Sequence, residues 1–210
     1  MKPRSRVFRT RGSRPLPSAA VRAVCAAVRK GGVVVFPTDT VYGIGACALL
    51  PEASARIYAI KGRHPRKPLP ILIDSLEAAR RWVRLGSTAL ALARRHWPGP
   101  LTLVLPPTPQ GRCLLAPGTR TLAVRVPAHP VALRLLAASG LPWAVTSANR
   151  SGAPAVADGA GAVRQFRGLA EVIVDAGRTG GTESTVAAIR GARLCVLRAG
   201  TLTRKELSSR

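Results

Sequence analysis

Apolar positions along this chain follow two periods, and where one gives way to the other a helix gives way to a strand. Val21, Val24, Cys25 and Val28 fall three or four residues apart. That is the spacing of one helix face, so residues 18–30 are expected to form a helix that Ser18 caps and Gly31-Gly32 ends. Gly32-Val33-Val34-Val35-Phe36 is a continuous β-branched run and predicts a strand covered on both faces. Pro37 then opens a loop that runs to Gly45. Helical spacing returns at 52–61, with Ile57 and Ile60 inward, and a second buried strand follows at 69–73. Asp74-Ser75-x-Glu77 opens the next helix through its capping side chains. Another starts at Gly86-Ser87 and runs to Trp97, where Pro98-Gly99-Pro100 breaks it. The remaining pattern predicts strands at 101–105, 122–126, 142–145, 172–175, 185–189 and 193–197. It places helices at 130–139, at 158–166 and from Thr203, and a loop rich in Pro and Gly at 106–120.

Strands and helices interleave, so the fold class is α/β. No internal repeat or interdomain linker is visible. The chain is read as one domain, residues 18–210, behind a basic tail, residues 1–17. The tail holds six Arg or Lys and no acid, and the first acid of the chain is Asp39. Two readings fit it: an organellar transit peptide, or an unstructured basic extension that touches RNA. Its shortness and scarcity of apolar residues favour the second.

Composition narrows the class. Hydrophobic residues make up 47% of the chain, which excludes disorder throughout. No apolar run approaches the roughly 20 residues of a membrane helix. Cys25, Cys47, Cys113 and Cys195 are widely spaced and the three histidines form no H-x-x-x-H pair, so no zinc pattern is present. Reduced thiols and a cytoplasmic location are expected. Thirty-three Lys and Arg against nine Asp and Glu give a net charge of +24. Such a field attracts polyanions and anionic small molecules. It suits a nucleotide or RNA ligand, and equally the basic surface of an Arg-rich, Ala-rich sequence.

Four polar strings lie between the apolar runs: Pro37-Thr38-Asp39-Thr40-Val41-Tyr42-Gly43, Lys61-Gly62-Arg63 with Lys67, Thr146-Ser147-Ala148-Asn149, and Glu183-Ser184-Thr185 followed by Arg198. The first follows a buried strand, beyond whose carboxyl end ligands of α/β sheets bind. Alternatively, Thr38 and Asp39 bond their own turn. Lys61, Arg63, Arg66 and Lys67 crowd one short window. Arg offers phosphate a planar fork and Lys a point charge, although a charge run is also the mark of a solvated turn. Ser147 and Asn149 can donate to phosphate or an adenine edge, or can close an Asx turn. Gly43-x-Gly45-x-x-Ala48 formally fits a dinucleotide fingerprint, but no helix opens there and Arg63 stands where the ribose-binding acid belongs. No P-loop string is present. No Ser or Cys has an identifiable His–acid pair, and no two carboxylates are spaced for acid–base work. The chemistry therefore rests on positioning and charge neutralisation.

These strings, with Trp97-Pro98-Gly99-Pro100-Leu101-Thr102, Val124-Arg125-Val126-Pro127, Ser151-Gly152 and Leu197-Arg198-x-Gly200, occur in the order of a known family. From about residue 19 to 207 the chain resembles the YrdC-type threonylcarbamoyl-adenylate synthases in their short, single-domain form. The resemblance implies a twisted mixed β-sheet flanked by helices, with a large basic concave face. It implies condensation of L-threonine, bicarbonate and ATP, the last with Mg²⁺ and no tightly bound metal. The products are threonylcarbamoyl-AMP and pyrophosphate, and downstream threonylcarbamoyl-transferase proteins would use the former to modify tRNAs reading codons that begin with A. Carried over by position, Lys61, Arg63, Ser147 and Asn149 form the catalytic polar tetrad. Arg63, Lys67, Thr121, Ser147, Asn149 and Arg198 meet ATP, and Thr40, Arg125 and Ser184 meet threonine. Thr38 and Tyr42 shape the cleft. One departure is visible: relatives often carry a polar residue, frequently His, near Leu72, where this chain is wholly apolar.

The alternative is an RNA-binding or ribosome-assembly module on the same fold, for which the charge alone would suffice. Bare RNA binding does not need Thr40, Arg125 and Asn149 at strand ends, and it benefits from exposed aromatics for stacking. Aromatics are only 4% of this chain, which favours the enzyme. A different nucleotide-dependent carbamoylation is a third reading.

Overall fold

The apolar runs become strands and the periodic segments become helices, in a computed structural model that describes residues 4–10, 15–190 and 193–208. In chain order the elements are β1 (Arg6–Arg9), α1 (Ser18–Arg29), β2 (Val34–Phe36), β3 (Gly43–Cys47), α2 (Pro51–Lys61), β4 (Ile71–Leu72), α3 (Leu76–Trp82), α4 (Ser87–His96), β5 (Leu101–Leu105), β6 (Leu122–Arg125), α5 (Pro130–Ser139), β7 (Trp143–Ser147), α6 (Gly159–Phe166), β8 (Val172–Asp175), β9 (Thr185–Arg190), β10 (Arg193–Arg198) and α7 (Arg204–Ser208). The ten strands form one mixed sheet in the order β1-β8-β2-β3-β7-β4-β6-β5-β9-β10. β8 pairs parallel with β1 and β2, β4 with β6, and β5 with β9; the other pairings are antiparallel.

The period-2 geometry of a strand divides the core into two layers. Val34 and Phe36 of β2 pack with Val24 and Val28 of α1, Leu135 and Leu136 of α5, and Trp143. Val35 points the other way, into a larger cluster with Ile44, Ile57 of α2, Leu101, Leu103 and Phe166 of α6. Phe36 meets Trp143 edge to face, centroids 5.2 Å apart, a favoured arrangement of aromatic quadrupoles.

Three expectations need correction. The loop assigned from Pro37 to Gly45 ends early, because Gly43–Cys47 is a fully buried strand. A Cβ at Gly45 would stand 2.8 Å from Val145 Cγ2 and 3.1 Å from the Phe36 ring, so these glycines let β3 lie close against its neighbours. Ser18 does not cap α1, since Pro17 occupies the N-cap and no side chain bonds there. The basic tail is not wholly unstructured: Arg6–Arg9 pairs in register with Val172–Asp175, and Ser5 Oγ donates to Ala170 O at 2.6 Å. Residues 1–3 and 11–14 of that tail lie outside the described residues. Two smaller differences are a shorter β4 than expected and a 3₁₀ turn, Gln110–Leu114, inside the expected loop at 106–120. Ser75 caps α3 as expected, accepting from Ala78 N at 3.1 Å. Among the described residues, no helix is long and apolar enough to cross a membrane.

Candidate active site

All ten sequence-predicted site residues (Thr40, Lys61, Arg63, Lys67, Thr121, Arg125, Ser147, Asn149, Ser184 and Arg198) line a single cavity of about 1210 Å³. It runs across the sheet from the β2–β3 turn to β9 and β10. Thr38, Tyr42, Thr102 and Glu183 also line it. Five of the lining side chains are cationic and one, Glu183, is a carboxylate.

Helix α2 delivers the first cation inward. Its C-cap, Gly62, has φ 62°, a left-handed conformation that costs glycine no Cβ clash. The chain reverses there, so Lys61 points into the protein while Arg63 borders the opening. Lys61 is only 4% exposed. Its ammonium donates to Ser147 O, to Asn149 O at 2.7 Å and to Asn149 Oδ1 at 3.0 Å. Those three contacts use all three of its protons. Burial, reinforced by the charge of Arg63 and opposed by Glu183, lowers its pKa to about 8. Lys61 thus clamps the segment leaving β7. Asn149 is equally committed: its Oδ1 also accepts from Ser147 Oγ at 2.7 Å, and its amide donates to Arg150 O and Ala153 O.

Arg63 and Lys67 form the more open side. Arg63 Nε donates to Lys67 O at 3.2 Å and Nη2 to Pro68 O at 3.4 Å, a long contact. Among the described residues, neither has a carboxylate within ion-pair distance. Thr121 lies exposed on the cavity wall, whereas Arg66 is not among the lining residues.

A second group on the cavity wall is built around Arg125, the last residue of β6, which is 5% exposed. Its Nε donates to Gly99 O at 2.9 Å, Nη1 to Thr40 Oγ1 at 3.0 Å and Nη2 to Asp39 Oδ1 at 2.5 Å. The hydroxyls beside it have a fixed direction. Thr38 Oγ1 donates to Val41 O at 2.6 Å, so in its 2.9 Å contact with Thr40 Oγ1 the proton comes from Thr40. Thr40 therefore spends its proton on Thr38 and receives one from Arg125, and only acceptor capacity faces the cavity. This polarity matches an ammonium or hydroxyl donor at Thr40 and an anionic group on the remaining N–H bonds of Arg125.

At the far wall, Arg198 Nη1 donates to Glu183 Oε2 at 2.7 Å, while Nη2 reaches Ser184 O at 2.8 Å and Ser184 Oγ at 3.2 Å. Ser184 Oγ lies 2.9 Å from Thr102 Oγ1. Tyr42 is a wall support: its hydroxyl donates to Gly177 O and accepts from Ala176 N, and burial pushes its pKa up to about 12. Leu72 is buried, 3% exposed, and brings no polar atom to the cavity.

Sequence reasoning placed Asp39, Thr102 and Glu183 in its motifs but gave none of them a role in the site. A further signal existed for two of them. Asp39 is the first acid in a basic chain, and Thr102 is the single polar residue within Leu101–Leu105.

The match to known proteins covers most of the chain. The Sua5/YciO/YrdC family model, described as telomere recombination, fits residues 26–200. The chain belongs to this family. A Pyrococcus abyssi relative named threonylcarbamoyl-AMP synthase is 41% identical over 189 residues, covering 89% of this chain and 56% of its own. A Halorhodospira halophila relative of the same name is 39% identical over 173 residues, covering 82% of this chain and 88% of its own. The crystal structure of P. abyssi Sua5 complexed with L-threonine superposes with a TM-score of 0.90 at 39% identity, covering 96% of this chain and 59% of that one. The chain thus spans little more than half the length of the P. abyssi protein. The fold is that of the Sua5/YciO/YrdC domain: a mixed sheet with flanking helices.

Proposed function

We propose that this Sua5/YciO/YrdC domain is an enzyme that makes threonylcarbamoyl-AMP from L-threonine, bicarbonate and ATP. The observation that carries the reading is the division of one cavity into two chemically different ends. The Arg63–Lys67 end has cations without carboxylate partners among the described residues and suits phosphates. The Thr40–Arg125 end has an acceptor hydroxyl beside a guanidinium and suits the amino and carboxylate groups of an amino acid. The relative crystallised with L-threonine supports that choice of amino acid.

In the reaction, the threonine amine, having released its ammonium proton to solvent, bonds to the carbon of bicarbonate and water leaves, giving a carbamate. A carbamate oxygen attacks the α-phosphorus of ATP. The bond from that phosphorus to the bridging oxygen breaks, and pyrophosphate leaves with the electron pair. The reaction is nucleotidyl transfer. Mg²⁺ carried by ATP would offset part of its charge. Arg63, Lys67, Thr121 and Arg198 neutralise and orient the phosphates and nucleotide. Lys61 fixes Ser147 and Asn149 against them. Arg125, Thr40 and Ser184 hold threonine so that the carbamate formed on its nitrogen can turn an oxygen to the α-phosphate, and holding two reactants in place can supply much of the barrier reduction. The product is a reactive mixed anhydride that would pass in the cytoplasm to downstream threonylcarbamoyl-transferase proteins acting on tRNA.

The purified protein, incubated with ATP, Mg²⁺, bicarbonate and L-threonine, should yield threonylcarbamoyl-AMP by mass spectrometry together with equimolar pyrophosphate. Absence of that mass while ATP and threonine both bind would overturn the reading.

A further inference from the structure

We propose that Asp39 is a specificity-determining residue of this site: by cancelling the charge of Arg125 it keeps phosphate from the amino-acid end and reserves that end for a zwitterion. Asp39 Oδ1 accepts from Arg125 Nη2 at 2.5 Å and from Ala128 N at 3.0 Å. Its Oδ2 is buried with no hydrogen-bond partner among the described residues. One oxygen makes both bonds and the other makes none. A neutral asparagine could accept the same two hydrogen bonds through its single carbonyl oxygen. What the carboxylate adds is its charge.

That charge matters because of the company Arg125 keeps. Lys61, Arg63, Lys67 and Arg198 line the same cavity. Arg125 is among the most buried cations there, 5% exposed, and charges interact most strongly where water is excluded. Unpaired, it would compete with Arg63 and Lys67 for the polyphosphate. Paired with Asp39 it is locally neutral, and its free N–H bonds can still orient a carboxylate. A zwitterion, itself neutral overall, loses little by entering; a phosphate with two or more negative charges is repelled by the Asp39 carboxylate, which does not itself line the cavity but cancels the charge of Arg125 there. Arg198 is tempered in the same way by Glu183, but at an exposed position where screening weakens the effect. The inference rests on the amino-acid reading of the Arg125 end given above.

Calorimetric titration of pyrophosphate into wild type, Asp39→Asn and the double variant Asp39→Asn/Arg125→Gln tests it. Wild type should bind one pyrophosphate. Asp39→Asn should bind a second, and saturating pyrophosphate should then weaken threonine binding by at least roughly tenfold, the effect of about 1.4 kcal/mol. The double variant should lose that second site. A single pyrophosphate on Asp39→Asn, with its melting transition intact, overturns the proposal. If Asp39→Asn does not fold, wild type still decides: threonine and pyrophosphate must bind it together, and mutual exclusion overturns the proposal. Should wild type bind no threonine at all, the functional reading fails, while the pyrophosphate stoichiometries still decide the role of Asp39.

Discussion

The basic turn after α2 and the Asp39–Arg125 end face the same cavity yet are built on opposite terms. In the turn, Lys67 is exposed and Arg63 half-buried, and their bonds within the protein are few and long. At the other end Arg125 is buried and Asp39 half-buried, and Arg125 makes three hydrogen bonds to two separate segments, Asp39-Thr40 and Gly99. A side chain that must move with a charged, flexible polyphosphate gains from freedom, and an exposed one contributes little to folding. A side chain that must tell one small zwitterion from others has to be fixed in advance. Function and stability should therefore separate in the turn and coincide at the Arg125 end.

The strongest test of that contrast is Arg125→Ala. It strands the Asp39 carboxylate, and removing one member of a buried pair costs about 3–5 kcal/mol. It also removes a charge-assisted contact worth about 1.5–3 kcal/mol, so threonine binding should fall roughly tenfold to a hundredfold. Denaturant unfolding and calorimetry should both register the change, with ATP affinity far less affected. Collapse of ATP affinity with threonine binding intact would reverse the assignment of the two ends.

Arg63→Ala should give the complementary pattern. Loss of one preorganised donor to developing charge lowers the rate by roughly 10²-fold or more, while unfolding stability stays within about 0.5 kcal/mol. Arg63→Lys should recover only part of the rate, because the planar fork is lost. Wild-type pyrophosphate release by Arg63→Ala, or a large drop in its stability, would erase the distinction between the ends.

The two ends also differed in how far they could be read from sequence. The turn was legible because its cations are neighbours in the chain and its helix stops at a glycine. The polar strings that reach the cavity from β2, β7 and β9 were legible because each adjoins a β-branched run. What was not legible depends on pairing across long separations. Asp39 and Arg125 lie 86 residues apart, and nothing local in either marks the other as its partner. Strand β1 was hidden because its arginines resemble a solvated tail, and its register is set by Val172–Asp175 at the far end of the chain. Gly43 and Gly45 suggested a loop because a glycine packed against Val145 and Phe36 cannot be told by composition from one in a turn.

Lys61 lies between the two regimes, being buried yet in the phosphate half, and pH can show which side it belongs to. Its pKa is lowered from 10.5 to about 8. Between those values the unfolded chain holds a proton that the folded protein has lost, so this residue's contribution to stability rises with pH across that window. Against Lys61→Met, which cannot titrate, wild type should gain stability between pH 8 and 10.5. Activity should move the other way, falling above pH 8 as the ammonium that holds Ser147 and Asn149 discharges. Denaturant unfolding of both proteins across this range, with pyrophosphate release measured in parallel, checks both signs. A stability difference independent of pH would mean that Lys61 keeps its charge throughout.

The smallest effect, and the sharpest probe of preorganisation, belongs to Thr38→Val. Thr38 is buried, 3% exposed, and by direction of its hydrogen bonds it acts on a ligand through Thr40. Its proton is fixed on Val41 O, so its oxygen must accept the proton of Thr40. Valine keeps the shape and removes the acceptor. The Thr40 hydroxyl is then free to turn its proton into the cavity, presenting a donor where the ammonium of threonine needs an acceptor. One neutral hydrogen bond contributes about 0.5–1.5 kcal/mol, so threonine affinity should weaken by a few-fold to roughly tenfold. ATP affinity should not change, since among the described residues the hydrogen bonds of Thr38 go to Thr40 and Val41 and to none of the phosphate cations. Thr38→Ser retains the oxygen and should restore threonine binding. If Thr38→Val binds threonine as wild type does, Thr40 needs no orienting partner and the ligand itself sets the polarity of that end. If Thr38→Ser remains as weak as Thr38→Val, the defect lies in packing of the β2–β3 turn and not in the direction of a proton.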